Sequence, residues 1–234
     1  MVSPGNFSNP NAGMRIVCLL MLCGFLLVPA KLFSQDELLS KVKYKDIDAV
    51  KALLDDGSDI NQQDTPTGYT ALMWACEFNY VDIAKLLIAE GADVNMKATD
   101  GSTALVRAAG NAPGVVELLL NKGADMTVVP DDGIGVMNQA VFGILYKGYA
   151  MDILDVLLGH GAYVDEAIKD LDPITGFTPL MFAVRENNVD LAKFLIEKGA
   201  DVNIKTASGS TPLSLATSED FSGMVELLKV HGAE

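Results

Sequence analysis

The chain has 234 residues, of which 17 are basic and 31 are acidic, so its formal net charge is −14 at neutral pH. A surface this acidic repels phosphate backbones, which argues against a nucleic-acid-binding protein. With only three cysteines, the sequence also excludes a small fold built on a dense disulfide framework.

The first 34 residues have the pattern of a secretory signal peptide. They contain no acidic residue, and the run from Ile16 to Val28 is apolar throughout. A membrane-spanning helix needs roughly twenty such residues, whereas the core of a signal peptide needs about 7–15. We therefore predict a cleaved signal peptide over residues 1–34, in which residues 1–13 resemble an extension from a misassigned start. An uncleaved N-terminal anchor is the alternative.

Cleavage would produce an exported protein, either periplasmic or secreted, without membrane insertion of the mature chain. The signal peptide would take Arg15, Lys31 and two cysteines with it, leaving 15 basic and 31 acidic residues, a net charge of about −16. Cys76 alone would remain, so no internal disulfide could form and stability must come from burial. Cys76 lies in the run LMWACEF, where a small apolar residue suits a core position better than a reactive site.

From residue 35 onward the chain repeats itself. Four segments with a common pattern begin GYTALMWACE at Gly68, GSTALVRAAG at Gly101, GFTPLMFAVR at Gly176 and GSTPLSLATS at Gly209. The first two and the last two of these glycines are each separated by 33 residues. A weaker copy begins at Gly133, and an atypical copy leads the array. The predicted repeat domain is 35–234, with units near 37–64, 68–100, 101–132, 133–172, 176–208 and 209–234.

Each full copy predicts two short helices. A threonine side chain can accept a backbone N–H at the start of the first helix; these threonines are Thr70, Thr103, Thr178 and Thr211. Pro179 and Pro212 follow at the first helical position, where a missing N–H removes no hydrogen bond. An apolar stripe at helical spacing marks the second helix. Gly91 and Gly199 then stand where a left-handed residue closes that helix.

This unit resembles the ankyrin repeat, a β-turn followed by two helices with a T-P-L-H-x-A signature and a 33-residue period. The resemblance covers the chain from about Glu37 to Glu234. It implies an all-α fold, an ankyrin-repeat solenoid of about six helix-turn-helix units joined by β-hairpin loops. The family's histidine after T-P-L is missing, and its place is taken by Met73, Val106, Met181 and Ser214.

Two surplus segments, 142–150 and 166–175, make the fourth copy longer than the others. Insertions in repeat arrays usually lie in loops, often near the binding face. Neutral variation in an exposed loop is the alternative interpretation.

The sequence contains no pattern typical of a catalytic, cofactor-binding or metal site, and we predict that no cofactor is needed. His160 and His231, the only histidines, each precede a helix-ending glycine, where an imidazole can bind the last carbonyl groups. GIGVMN at Gly133 lacks the third glycine of a dinucleotide loop. DLDPITG at Asp170 lacks the spaced carboxylates of a calcium loop.

The resemblance implies a non-catalytic protein-protein interaction module with a protein partner. A narrower alternative is an inhibitor or immunity-type protein that blocks a toxin or enzyme in the bacterial envelope. Two other classes are an enzyme with an unrecognised site, which the residues give no reason to expect, and a structural spacer with an unpatterned polar surface.

In the ankyrin pattern, the residue after the hairpin glycine and several first-helix positions face the concave side. These positions predict the partner-binding residues Tyr69, Trp74, Glu77, Phe78, Arg107, Phe177, Phe182 and Arg185. Aromatic and arginine side chains dominate the binding energy of many interfaces. Trp74 and Phe182 have core packing between units as an alternative. Tyr69, Phe78 and Phe177 lie nearer the hairpin tips, and we expect them to be exposed.

Overall fold

The computed structural model describes residues 35–169 and 171–234, so the predicted signal peptide lies outside the described residues. Within these ranges the chain forms twelve α-helices in six successive pairs. The pairs are α1 (Gln35–Lys43) with α2 (Ile47–Asp55), α3 (Ala71–Glu77) with α4 (Val81–Ala89), α5 (Ala104–Asn111) with α6 (Val116–Asn121), α7 (Val136–Lys147) with α8 (Asp152–Gly159), α9 (Pro179–Arg185) with α10 (Val189–Glu197), and α11 (Pro212–Ser218) with α12 (Ser222–Val230).

The predicted all-α solenoid is confirmed. Each first helix packs on the first helix of the next unit, and most second helices pack in the same way. The loops between units are hairpins, and their one antiparallel bridge in the described ranges joins Gln63 to Thr70. Buried apolar residues form a continuous cluster from Leu38 to Leu228. None of the described helices combines the length and the apolar character needed to cross a membrane.

The predicted threonine caps are also confirmed. Thr70 Oγ1 accepts the backbone N–H of Met73 at 3.2 Å, which satisfies one of the free donors of the first turn. At α11 the cap is reciprocal, because Thr211 Oγ1 accepts the Ser214 N–H at 3.1 Å and Ser214 Oγ accepts the Thr211 N–H at 2.8 Å. Thr103 and Thr178 cap α5 and α9.

The second helices end as predicted. Gly91 and Gly199 follow α4 and α10 with φ of +90° and +93°, a conformation that favours glycine. His231 closes α12, with Nδ1 2.9 Å from the Leu227 carbonyl oxygen. Cys76 is fully buried, and burial raises the pKa of its thiol to about 12, so the core interpretation of this residue is correct.

The first surplus segment is helical for most of its length, so our expectation of a loop was wrong there. α7 has 12 residues, whereas α3, α9 and α11 have 7 each. The extra turns continue to Lys147 and end at Gly148, whose φ is +70°. They are anchored on the preceding unit, because Lys147 Nζ donates to Gly110 O at 3.0 Å and Tyr149 Oη donates to Asn111 O at 2.7 Å.

The described residues of the second surplus segment, 166–169 and 171–175, form a loop, as predicted, and this loop supplies the cap that α7 lacks. Gly135 occupies the position of the threonine and has no side chain to accept a hydrogen bond. Instead, Glu166 Oε2 accepts the Met137 N–H at 2.9 Å, and the Glu166 carbonyl accepts from Asn138 Nδ2 at 2.6 Å. Burial raises the pKa of the Glu166 carboxyl group, although the backbone N–H groups of Met137 and Asn138 oppose the shift.

Asparagine side chains join the turns that follow successive second helices. Asn95 Oδ1 accepts the Asp125 N–H at 2.9 Å, and Asn95 Nδ2 donates to Gly123 O at 3.0 Å. In the fourth unit Asp165 replaces asparagine. It accepts the Asp201 N–H at 3.1 Å, but a carboxylate has no N–H with which to make the second bond.

We expect Asp165→Asn to raise the free energy of unfolding at neutral pH by about 1 kcal/mol, the usual net contribution of one regained hydrogen bond. Burial raises the pKa of Asp165 above 3.8, and the Asp201 charge adds to this. The folded state therefore binds more protons than the unfolded state just above pH 3.8, and the wild type loses stability as the pH rises through this window.

The free energy of unfolding gained by Asp165→Asn should therefore become smaller as the pH falls through this window. Urea denaturation of both proteins at several pH values measures it. A variant that is less stable than the wild type at neutral pH would contradict this account of Asp165.

Candidate functional site

The first helices and the loops before them form one surface, which we call the first-helix face. It carries two groups of aromatic side chains. The Trp74 cluster consists of Tyr69, Trp74, Phe78 and Tyr80, and the Phe182 cluster consists of Phe142, Tyr146, Phe177 and Phe182. All five aromatic residues of the predicted partner-binding set belong to these clusters.

Trp74 lies at the centre of its cluster. Its ring centroid is 4.9 Å from that of Tyr69 and 5.2 Å from that of Phe78, on which it stacks. Trp74 Nε1 donates to Asp64 Oδ2 at 2.9 Å, and Lys43 Nζ lies 4.1 Å from the ring centroid. These contacts cover much of the indole, so Trp74 is half-buried and serves packing as well as the surface.

Asp64 links this cluster to the first unit. Lys43 Nζ is 3.1 Å from Asp64 Oδ2, and Thr67 Oγ1 also donates to this carboxylate. Burial raises the pKa of Asp64, but the hydrogen bonds from Thr67, Lys43, Tyr69 and Trp74 outweigh it and hold the pKa below its usual value. The carboxylate is therefore ionised at neutral pH, and it fixes the indole and the Lys43 ammonium against each other.

Arg107 and Glu77 join the second unit to the third. The Arg107 guanidinium lies 5.1 Å from the Tyr69 ring centroid, and it pairs with Asp100 and, at 3.8 Å, with Glu77. Glu77 also accepts from Asn111 Nδ2 at 3.3 Å. Both predicted site residues thus belong to a network between units, and the Arg107 side chain is only 21% exposed.

Three aromatic residues of the predicted set are buried. Phe182 is 0% exposed, so it cannot contact a partner, and the core alternative is correct for it. Tyr69 and Phe177 are only 9% and 8% exposed, so our expectation that they are exposed was wrong. The reason is that cationic side chains lie over the rings: Arg107 of the next unit covers Tyr69, and Arg185 lies 5.7 Å from the Phe177 centroid.

Exposed aromatic side chains lie at the C-terminal ends of three first helices, and Tyr44, which follows α1, is 82% exposed. Phe78 is 42% exposed, as predicted, and Tyr146 is 58% exposed. Tyr146 Oη donates to Glu186 Oε1 at 2.9 Å, and Arg185 Nη2 lies 3.4 Å from Tyr146 Oη. We missed Tyr146 because we placed it in a loop. The four-residue spacing of Phe142 and Tyr146, which is typical of one helix face, could have revealed it.

The face therefore combines exposed aromatic rings with cations on an acidic molecule. Arg107 and Arg185 are the only arginines of the described chain, and both lie here. Among the described residues, no three histidine, cysteine, aspartate or glutamate side chains are grouped so that they could hold a metal ion.

Comparison with known proteins identifies the repeat. A family model described as Ankyrin repeats (3 copies) matches residues 38–129 and 139–234. A putative ankyrin repeat protein of Fowlpox virus (strain NVSL) is 34% identical over 200 residues, which cover 83% of this chain and 47% of the viral protein. The Ankyrin repeat and KH domain-containing protein mask-1 of Caenorhabditis elegans is 31% identical over 130 residues, covering 56% of this chain and 5% of that protein.

Among solved structures, the ankyrin repeat domain of Bcl-3 superimposes with a TM-score of 0.70 and covers 84% of this chain and 86% of its own. The two sequences are 24% identical, so this likeness concerns the fold alone. The chain spans less than half the length of the two curated relatives described above.

Proposed function

The chain belongs to the ankyrin repeat family, whose repeats form protein-protein interaction modules, and we propose that its partner protein binds the first-helix face around Phe78, Tyr146 and Arg185. The observation that carries this proposal is the exposure of Phe78 and Tyr146 at corresponding ends of first helices two units apart. Large exposed rings beside a cation are typical of residues that dominate binding energy. Catalysis is not part of the proposed function.

Capture from the envelope fraction of the source cell, with the protein as bait, would supply the partner for a quantitative test. We expect Phe78→Ala and Tyr146→Ala each to weaken binding by more than about 1 kcal/mol, the usual threshold for an important contact. Calorimetric titration measures the affinity, and a thermal melt of each variant measures its stability.

Tyr163→Ala is the matched control. Tyr163 is 67% exposed, but it lies in the turn after a second helix, away from the first-helix face. The control should bind as the wild type does. If Tyr163→Ala weakens binding as much as Tyr146→Ala, or if neither Phe78→Ala nor Tyr146→Ala weakens it, the proposed binding face is wrong.

The proposal includes export from the cell, which rests on the apolar run from Ile16 to Val28. Mass spectrometry of the protein purified from its source should show a mature N-terminus close to residue 35. An N-terminus at Met1 would contradict cleavage. A captured partner that is a toxin or an envelope enzyme, and that loses activity when the protein is added, would narrow the function to inhibition.

A further inference from the structure

A groove of about 390 Å³ lies between the third and fourth units on the second-helix side. Ligand-binding clefts in proteins are commonly roughly 300–1,000 Å³, so this groove is large enough for a side chain or a small molecule. Its apolar lining includes Val116 of α6, Tyr149 of the loop before α8, and Ile153 and Val156 of α8.

The groove exists because a short unit lies beside a long one. From Gly101 to Gly123 is 22 residues, against 23 from Gly68 to Gly91 in the preceding unit. The 3-10 turn Pro113–Val115 replaces the first turn of the second helix, and Pro113 and Gly114 of this turn line the groove. The longer α7 of the next unit places Tyr149 and Ala150 on the other side of the gap.

The groove is also negatively charged. Glu117 and Asp152 belong to its lining, both are exposed, and no lysine, arginine or histidine is among the lining residues. Glu117 stands six residues before Gly123, which closes its helix. Lysine occupies the corresponding position in three other units, at Lys51, Lys85 and Lys193. Asp155 and Glu226 occupy it in the fourth and sixth units, so both units that flank the groove carry an acidic residue at this position.

We propose that this groove binds a lysine or arginine side chain of a partner protein. Such a side chain has an apolar stem and a cationic head, so it can bury the stem against Val116 and Val156 and direct the head to Glu117 and Asp152. This binding site is separate from the first-helix face, and it does not depend on the function proposed above.

Titration with n-butylamine, which has the stem and head of a lysine side chain, tests the proposal on the isolated protein. Amide signals of residues 114–117 and 149–156 should shift in two-dimensional NMR spectra, and n-butanol, with the same stem and no charge, should bind at least about tenfold more weakly. Equal binding of amine and alcohol, or shifts confined to other residues, would overturn the proposal.

Three variants locate the interaction. Glu117→Gln and Asp152→Asn should each weaken n-butylamine binding at least about threefold, because one carboxylate is lost. Ala150→Trp should abolish binding by filling the groove while both carboxylates remain. Glu90→Gln, which removes an exposed carboxylate of the second unit, is the control and should not change the affinity. If the control weakens binding as much as Glu117→Gln, the effect is nonspecific and the site is wrong.

The blocked peptide acetyl-Ala-Lys-Ala-amide distinguishes a protein ligand from a free amine. It should shift the same signals as n-butylamine, with an affinity within about tenfold. If n-butylamine binds and the peptide does not, the groove accepts a small amine and the assignment to a partner protein fails.

Discussion

Replacing Phe182 with alanine is expected to lower the free energy of unfolding by about 3–5 kcal/mol, the usual effect of removing a fully buried phenylalanine. Phe182 is 0% exposed, and its ring packs edge-on against Phe142 of the preceding unit, with centroids 4.8 Å apart. It also contacts Phe177, and the Arg185 guanidinium lies 4.9 Å from its centroid. The substitution would therefore leave a cavity between the fourth and fifth units.

Urea denaturation followed by circular dichroism measures this loss. Phe78→Ala is the matched control. Because Phe78 is 42% exposed, this substitution should lower the free energy of unfolding by less than about 1.5 kcal/mol. Equal losses for the two variants would show that burial does not distinguish these rings. The comparison would then also remove the structural reason for assigning Phe78 to the binding surface and Phe182 to the core.

The second large effect concerns the cap of α7. Glu166→Ala should lower the free energy of unfolding by about 1–3 kcal/mol, because the buried Met137 N–H loses its acceptor. Glu166→Gln keeps an acceptor oxygen at the same place and should cost much less. Urea denaturation of both variants measures the difference, and equal losses would show that the carboxylate does not act as a cap.

Gly135 supplies a double-mutant test of the same contact. A Cβ atom at Gly135 would collide with the Glu166 carboxylate, although the backbone there is extended and suits any residue. Gly135→Thr should therefore destabilise the wild type. In the Glu166→Ala background, however, it should restore stability, because the threonine can cap α7 as Thr70 caps α3. Additive losses in the double variant would contradict the exchange of one cap for another.

The repeat architecture could be predicted from the sequence because its signals are local. Thr70 caps its own helix, Gly91 closes its own helix, and the apolar stripe of each unit recurs at the family's spacing. Four of the six units repeat the threonine cap, so an error in one copy would not have changed the prediction. The fourth unit shows the limit, since its missing threonine is replaced by Glu166, which lies 29 residues away from the N–H it accepts.

The binding face could be predicted only in part. Phe78 is exposed as predicted. The surplus segment that contains Tyr146 was predicted to be a loop, but most of it continues the helix α7. Tyr69 and Phe177 stand at positions that face outward in the repeat pattern, and both are buried. Whether such a ring is exposed depends on the side chains that lie over it, and in these two cases those are arginines.

The sequence by itself determined the number of units, the helices of each unit and the turns that join them, because caps, glycines and apolar periodicity act within a few residues. Only the tertiary structure decided which aromatic rings are covered, how α7 is capped and where a groove opens between the third and fourth units. Each of these depends on which side chains meet in space: Arg107 covers Tyr69 of the preceding unit, Glu166 lies 29 residues from Met137, and the groove lies between two units. A one-dimensional pattern does not specify these contacts.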